Sequence, residues 1–556
     1  MVEEGKVCSP VEFPSINTNP HDRGSIFSPI FAFNLAGAKH NVILSPSLLR
    51  QVQQNPTGLD EIDITEWNIL RNVFKLPNDT ETGFLELRPK LTKALETNLF
   101  GEQQAEKLIS ASLSVLSDHL PDLITFNSSL VDQLPWERVG NIELTDGTAE
   151  AECDLLTLMN EFLCGVILAP ITGQQFPESY QLLASDLSTV TELYYALATD
   201  LPRLFPKAGL PGAILAKKRL FQNFTRFYEE LDNPKKRVPA DDESMSGDET
   251  DADTPTPLTE LNKLFLENEV PTEARAAITI QILHDLVSNI VPLAFWTLVH
   301  LNTSATAQPK TSPAGTSIDE IRKETQSWAH AIQPPSIHPS FPAPPAISFD
   351  GVANLSSPTS FPQIRSAINE ARRLYKAPVK TLKVNKPITL IEDESIRPGT
   401  QVKWELDIGS YVAVGLSQTL LNTSSAQFID STEYKPDRFQ HTTPPTSITD
   451  PSSSQESFET SILIAFVSGV LQLWEILPAP KKSLFDLMKE AQDAAMAPVD
   501  GKPAPPERSA MEKKVGQWVV PQAVDGADVK IPKRDIRVRI RRREGLPEQR
   551  SVRKAK

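Results

Sequence analysis

Cysteine is scarce in this chain, with 3 residues among 556, at positions 8, 153 and 164. This number is too small for a disulfide framework, and no Cys-x-x-Cys pair offers a metal site. Basic charge is also in short supply, because 55 Lys plus Arg face 71 Asp plus Glu and leave a formal net charge of −16. Nucleic acid is therefore disfavoured as the main partner, since phosphate binding requires a basic face.

Long hydrophobic runs are missing as well. No stretch reaches the roughly 18 uninterrupted apolar residues typical of a transmembrane helix, and we expect residues 1–22 to form a disordered N-terminus without a membrane anchor. Proline, in contrast, is abundant, with 47 residues. Because proline is excluded from helix interiors and central strands, much of the chain must be connection. An apolar fraction of 40% still supplies a sizeable core.

Apolar residues at spacings of three and four predict helices through most of the first half. Before them, two short strands meet at Gly37 and a first helix begins at Ser45-Pro46. The predicted helices cover residues 84–99, 105–120, 149–168, 180–204, 210–231 and 271–301. The last of these is apolar on most sides, which is typical of a helix at the centre of a large protein, and Pro292 is expected to kink it.

Two segments are expected to be flexible insertions, 233–257 and 302–362. The first is polar and acidic, which favours a solvated insertion; a phosphorylation site at Ser244 or Ser246 is the functional alternative. The second is rich in Pro and Ser and is interpreted as a surface connection, with a Pro-rich ligand as the alternative.

The second half mixes short strands with helices. A helix is predicted at 361–374, strand pairs at 378–400, and a strongly apolar helix at 458–476. Residues 535–541 alternate Ile or Val with Arg, which predicts a half-buried strand with an exposed basic face. Given the acidic remainder, a solvated strand edge is favoured over a nucleic-acid patch, and residues 545–556 form a basic tail. The fold class is therefore mainly α with small β-sheets.

Two motifs stand in an informative order. EARR at 370–373 places a carboxylate and a guanidinium three residues apart on one helix face, and YKPDRF follows at 434–439 after short strands. A Glu-x-x-Arg helix, a small sheet, a Pro-x-Arg-Phe loop and then an apolar helix resemble the cytochrome P450 family. NIVPLAFW at 289–296 is similar to the group related to sterol 7α-hydroxylase and prostacyclin synthase, and DIRVRIRRRE at 535–544 looks like a fungal P450 ending.

The resemblance implies one large P450-like domain over 23–544. It also implies that Glu370, Arg373 and Arg438 form a structural triad beside a haem cofactor. Further implications are a small lipophilic substrate and a P450 reductase as partners, with no metal cluster. The location implied is cytoplasmic or peripheral to the endoplasmic reticulum.

The haem-ligand loop departs from the family pattern. The family's Phe-x-x-Gly-x-x-x-Cys-x-Gly loop would lie at 440–457, which contains neither Cys nor Gly. The ligand position falls near Ser452, only 13 positions after Phe439. A serine hydroxyl stays protonated and is a poor ligand for haem iron, while the family's chemistry depends on a thiolate. His441 is the only imidazole nearby, and a surface role is favoured for it.

The central helix departs as well. Ser288, Asn289 and Ile290 occupy the expected pocket region, with Ile290 where the family usually has a Thr that relays protons. His284 and His300 on the same helix are too far apart for a metal pair, so packing or pocket lining is favoured.

These departures leave no catalytic residue and no metal ligand to assign. We favour a P450-like protein of fungal secondary-metabolite biosynthesis that has lost the haem-thiolate motif and is inactive as a monooxygenase. The alternative is a functional haem-dependent monooxygenase whose ligand loop and anchor are lost to a gene-model error. An isomerase-like or peroxide-using relative is a third hypothesis, and it also requires haem.

Overall fold

The computed structural model describes residues 29–35, 37–54, 58–60, 64–146, 150–233, 256–307, 317–335, 343–392, 403–449, 453–480 and 516–548. The α-helices within these ranges are α1 Pro46–Gln54, α2 Ile64–Asn72, α3 Glu81–Ala94, α4 Glu102–His119, α5 Pro135–Val139, α6 Leu155–Thr172, α7 Gln175–Ser179, α8 Leu183–Glu192, α9 Tyr194–Ala198, α10 Leu210–Asp232, α11 Pro257–Glu267, α12 Thr272–Ala307, α13 Ser317–Thr325, α14 Ala353–Ser356, α15 Pro362–Tyr375, α16 Val414–Asn422 and α17 Ser454–Leu473. The strands are β1 Ile30–Leu35, β2 Ala38–Ile43, β3 Leu59–Asp60, β4 Glu143–Asp146, β5 Glu150–Asp154, β6 Ala329–Ile332, β7 Ala346–Phe349, β8 Leu382–Val384, β9 Ile388–Ile391, β10 Lys403–Leu406, β11 Tyr411–Val412, β12 Trp474–Pro478, β13 Ala523–Val524, β14 Ile531–Pro532 and β15 Arg537–Arg542.

Helix α12 is the centre of the main hydrophobic core and packs against α6, α10, α15 and α17. Its apolar side chains are buried on every side, as its sequence predicts. Pro292 lies inside α12, and the helix continues beyond it to Ala307. The predicted fold class, mainly α with small sheets in one large domain, is confirmed.

Five short strands form the largest sheet, in the order β1-β2-β11-β8-β3. The predicted N-terminal hairpin is present: β1 and β2 pair antiparallel, with Ile30 opposite Ile43. Gly37 lies in the turn at a φ of +81°, a conformation that costs glycine little. A second, smaller core beneath this sheet holds residues from α1, β8 and β9.

The four-stranded sheet β12-β15-β5-β4 corrects the interpretation of the basic strand. β15 is a central strand, not a solvated edge, because it pairs with β12 on one side and β5 on the other. Its arginines face neighbouring acids: Arg539 contacts Glu152 at 2.8 Å, and Arg541 contacts Glu475 at 2.7 Å. The acidic strands β4, β5 and β12 supply these carboxylates, so the basic face is paired internally.

Helix boundaries differ from the predicted ones where strands begin. Residues 150–154 form β5 ahead of α6, and the predicted helix at 180–204 is divided into α8 and α9. Helix α17 ends at Leu473, so Trp474–Pro478 forms β12, not the end of a helix. At residues 150–154 and 474–478 pairing within a sheet outcompetes the helical pattern, which periodicity over a short segment cannot reveal, whereas the break between α8 and α9 falls at Leu193 without a strand.

The segment 302–362 contains more structure than a surface connection. Residues 302–307 complete α12, and α13, β6, β7 and α14 follow within it. Trp328 is fully buried and donates a 2.9 Å hydrogen bond from Nε1 to the carbonyl oxygen of Gly351. The high proline and serine content of this segment favoured a surface connection and gave no indication that part of it packs in the core. The other predicted insertion, 233–257, lies almost entirely outside the described residues, as do residues 1–22 and most of the basic tail.

Three helices are long and apolar enough, by length and composition, to cross a membrane: Leu155–Thr172, Thr272–Thr306 and Ser454–Leu473. The expectation of no such segment therefore holds only for uninterrupted apolar runs. In the folded chain the most apolar window of each is 72%, 89% and 94% buried inside the protein, respectively. The apolar side chains of these three helices therefore pack inside the protein.

Candidate functional site

The structure brings Glu370, Arg373 and Arg438 together, although 65 residues separate the last two. Glu370 and Arg373 lie one turn apart on α15, and both side chains are fully buried. Arg373 Nε and Nη2 donate 2.8 Å hydrogen bonds to the two carboxylate oxygens of Glu370. Arg438 Nε donates to the same two oxygens at 3.0 and 3.1 Å.

Backbone carbonyls complete this charge cluster. Arg373 Nη1 donates to the carbonyl oxygens of Asn422 and Ser431 at 2.8 and 2.6 Å. Arg438 Nη1 donates to the carbonyl oxygen of Ile429 at 2.7 Å. Two guanidiniums thus share one carboxylate, and carbonyl dipoles of residues 422–433 offset the second positive charge. The cluster fixes the loop after α16 onto α15 and leaves no polar atom aimed at a ligand.

The three predicted pocket residues on α12 face different surroundings. Ser288 is buried and lines a cavity beside α6 and α8. Asn289 points to α17, where its Nδ2 donates a 3.2 Å hydrogen bond to Glu459 Oε1. Ile290 is fully buried in the core. They do not form a common site.

The segment that follows the charge cluster is held by its own contacts. Ser447 Oγ donates a 2.8 Å hydrogen bond to Asn422 Oδ1, and the neighbouring Ile448 is fully buried. His441 is exposed. Ser453 caps α17 by accepting a 3.2 Å hydrogen bond from the Glu456 backbone N–H. The predicted ligand position, Ser452, lies outside the described residues.

The architecture matches that of a solved cytochrome P450. The chain is similar to a cytochrome P450 (CYP102L1) of known crystal structure, with a TM-score of 0.52 and 14% identity over 93% of this chain and 92% of that chain. The chain has a cytochrome P450 fold. No family model and no curated protein matches the sequence.

A P450 fold implies haem between the central helix and the segment before α17, and the residues present do not fit that group. Leu286 and Ile290 of α12 and Ile462 of α17 are each 0% exposed, and Asn289, which faces α17, is half-buried. The hydrogen bond between Asn289 and Glu459 joins the two helices directly. Within the described part of the chain, α12 and α17 thus contact each other directly, which leaves little room for a porphyrin at this point.

The two cysteines that the structure describes lie in the core of this P450 fold. Cys153 lies in β5 and Cys164 in α6, both buried in the main core. Burial raises the pKa of each thiol well above its ordinary value, so both stay protonated. Among the described residues, no group of three or more His, Cys, Asp or Glu side chains is placed to hold a metal ion.

The two central-helix histidines have packing roles. His284 is fully buried, stacks on Tyr194 with ring centroids 5.5 Å apart, and its Nε2 shares a 3.0 Å hydrogen bond with Thr191 Oγ1. His300 Nε2 shares a 2.6 Å hydrogen bond with the Tyr375 hydroxyl. Burial lowers the pKa of both histidines to about 4, so the rings are neutral.

Sequence reasoning missed two acids that lie within apolar helices. Glu459 in α17 is buried against Asn289, and burial raises the pKa of its carboxyl. Glu161 in α6 lines the cavity beside Ser288. The signal was available for Glu161, because a single carboxylate inside an otherwise apolar helix requires a partner or a functional role, and for Glu459, because it stands at the start of an apolar segment.

Proposed function

We propose that this chain is a P450-fold protein that does not act as a haem-thiolate monooxygenase. The observation that supports this proposal is the direct contact between α12 and α17, where Asn289 Nδ2 donates a 3.2 Å hydrogen bond to Glu459 Oε1. Because P450 chemistry rests on a Cys thiolate bound to the iron, a chain without a Cys at residues 440–457 and with α12 in direct contact with α17 loses that reaction. No redox partner such as a reductase is then required.

The packing around the start of α17 supports this proposal. Phe458 is buried and its ring lies 5.8 Å from that of Phe100, while Arg372 Nη2 donates a 2.8 Å hydrogen bond to Thr460 Oγ1. These contacts hold α17 directly against α15 and Phe100. The biological setting we propose, fungal secondary-metabolite biosynthesis, rests on the sequence resemblance of residues 289–296 and 535–544.

The deciding experiment is a haem titration of the purified protein, followed by reduction and a carbon monoxide difference spectrum. We expect no stoichiometric haem uptake and none of the long-wavelength carbon monoxide band that marks a thiolate-ligated P450. The Ser452→Cys variant supplies a thiol at the expected ligand position as a matched comparison. A band from the wild-type protein refutes the proposal, whereas a band from Ser452→Cys alone shows that the contact between α12 and α17 does not exclude haem and leaves the missing thiolate as the reason for inactivity.

A second candidate is a functional haem monooxygenase that oxidises a lipophilic metabolite with electrons from a P450 reductase, with its ligand loop lost from this sequence. The complete cluster of Glu370, Arg373 and Arg438 favours it, because the scaffold beside the ligand loop is retained. Genomic sequence across residues 440–457 tests it. An in-frame exon encoding Phe-x-x-Gly-x-x-x-Cys-x-Gly would support this candidate against the first, and uninterrupted coding sequence would remove it.

A further inference from the structure

A cavity of about 380 Å³ lies between α6, α8, α12 and residues 524–535. This volume falls within the roughly 300–1,000 Å³ of small-molecule sites. Helix α12 supplies an apolar wall through Val287, Val291 and Pro292, and Ile531 of β14 adds to it. The site lies beside α6 and does not involve the contact between α12 and α17.

Most polar groups in the cavity wall already have partners. Thr157 Oγ1 donates a 2.8 Å hydrogen bond to Asp535 Oδ2, and the same carboxylate accepts from the backbone N–H groups at the start of α6. Asn160 Nδ2 donates to the carbonyl oxygen of Ala184 at 3.0 Å. Thr191 is bonded to His284. These residues shape the cavity, but they have little hydrogen-bonding capacity left for a ligand.

Glu161 differs from these residues. The Glu161 side chain lines the cavity and is half-buried; its Oε2 atom is buried without a hydrogen-bond partner, and Glu161 forms no ion pair with the residues that the structure describes. A half-buried carboxylate that receives no donor from the protein keeps its accepting capacity for an incoming group.

The surrounding charges favour a positive ligand. Glu192 of α8 and Asp535 contribute two further carboxylates to the wall, and α12 contributes no charged group to it. Lys533 and Arg534 are the basic residues present, and both side chains are exposed. The Glu161 carboxylate would therefore repel an anion that enters the cavity, whereas a cation would form an ion pair with it.

We infer that this cavity binds a small organic cation, a primary amine with an apolar body, whose ammonium group donates to Glu161. The apolar body lies against Val287, Val291 and Pro292. A charge-assisted hydrogen bond to a buried carboxylate is roughly twice as strong as a neutral one, so the amine is preferred over an alcohol of the same shape.

Binding is coupled to the protonation of Glu161. Burial raises the pKa of the Glu161 carboxyl to about 7. An amine that is fully protonated across this range must displace the carboxyl proton at lower pH, so affinity falls by up to tenfold per pH unit below about 7. Glu192, Lys533, Arg534 and Asp535 are the charged groups that face the cavity from the packed elements, and Cys164 neighbours Glu161 on α6 itself.

Isothermal titration calorimetry of the full chain with 2-phenylethylamine tests the inference, with 2-phenylethanol as the neutral probe of matched shape. At pH 8 we expect saturable binding of the amine at least tenfold tighter than that of the alcohol. At pH 5.5 the amine should lose at least tenfold in affinity while the alcohol is unchanged. Equal affinity for the two probes, or no saturable binding of the amine at pH 8, overturns the inference.

Two variants separate this site from surface binding. Glu161→Gln keeps the side-chain shape and should weaken amine binding at least tenfold, leaving the alcohol unaffected. Glu178→Gln removes an exposed carboxylate of α7 outside the cavity and should change neither probe. Unchanged amine affinity in Glu161→Gln, with a circular dichroism spectrum equal to wild type, refutes the assignment. The inference stands apart from the haem titration, because neither outcome there changes the cavity.

Discussion

The buried charge cluster predicts a large loss of stability when its single acid is neutralised. Glu370→Gln keeps the volume of the side chain but leaves Arg373 and Arg438 without their shared carboxylate. Both Glu370 and Arg373 are fully buried, and the Arg438 side chain is 12% exposed. Removing one partner of a buried ion pair typically costs about 3–5 kcal/mol. We expect the lower part of this range, because Arg438 has partial access to water.

Urea unfolding followed by tryptophan fluorescence and circular dichroism measures this loss. With an m-value of about 3 kcal/mol/M or more for a large domain, the midpoint of Glu370→Gln should fall by about 1 M. Glu433→Gln is the matched control: only the backbone carbonyl of Glu433 contacts the cluster, its side chain is exposed, and its cost should stay within about 0.5 kcal/mol.

The shared geometry also predicts non-additivity. Because both guanidiniums use one carboxylate, adding Arg438→Met to Glu370→Gln should restore part of the lost stability, not add a further loss. Midpoints of Glu370→Gln and Glu433→Gln that agree within 0.2 M, taking about 0.6 kcal/mol as the resolution of the method, would refute the assignment of a stabilising cluster.

Three further predictions use other features of the fold. Gly415→Ala should cost about 2–4 kcal/mol in urea unfolding, because the added methyl would overlap the carbonyl oxygen of Pro378, whereas Gly212→Ala, with open space around it, should be neutral or stabilising. The buried cysteines of β5 and α6 should resist alkylation by iodoacetamide in the native state and react on unfolding, as peptide mapping by mass spectrometry will show; rapid native labelling would contradict their burial. The pKa of His284 is lowered from 6.5 to about 4, so its contribution to stability is complete above pH 6.5 and lost as the pH falls to about 4. Compared with His284→Gln, the wild type should lose about 3 kcal/mol between pH 7 and pH 4; parallel curves for the two proteins would exclude a buried neutral ring.

The long helices and the charge cluster could be predicted from the sequence because their signals are local or rest on motif order. Helix α12 is predicted because its segment is apolar on most sides. The family resemblance carried by EARR and YKPDRF implied which charged groups meet. The position of β15 could not be predicted in the same way. Alternation of Ile and Arg predicts a strand. Its central position in the sheet depends on pairing with β5 and β12, whose acids are distant in sequence.

The candidate site was less accessible to sequence reasoning than the fold. Missing Cys and Gly residues at 440–457 indicate a lost ligand, but they do not reveal whether a cleft persists. That depends on Asn289 and Glu459, which are 170 residues apart and meet only through the packing of two helices. The cavity at Glu161 likewise needs four separate segments to be assembled before it exists.

The sheet β12-β15-β5-β4 has a consequence for the order in which this chain can fold. Residues 150–154 are synthesised long before 537–542, yet they pair with each other, and Arg539 is the partner of Glu152. Until the last segment leaves the ribosome, β5 has an unpaired edge and Glu152 lacks its buried cation. Strand β5 therefore completes its pairing only after residues 537–542 have been synthesised. A nascent chain stalled before residue 537 should be a substrate for chaperones or proteases.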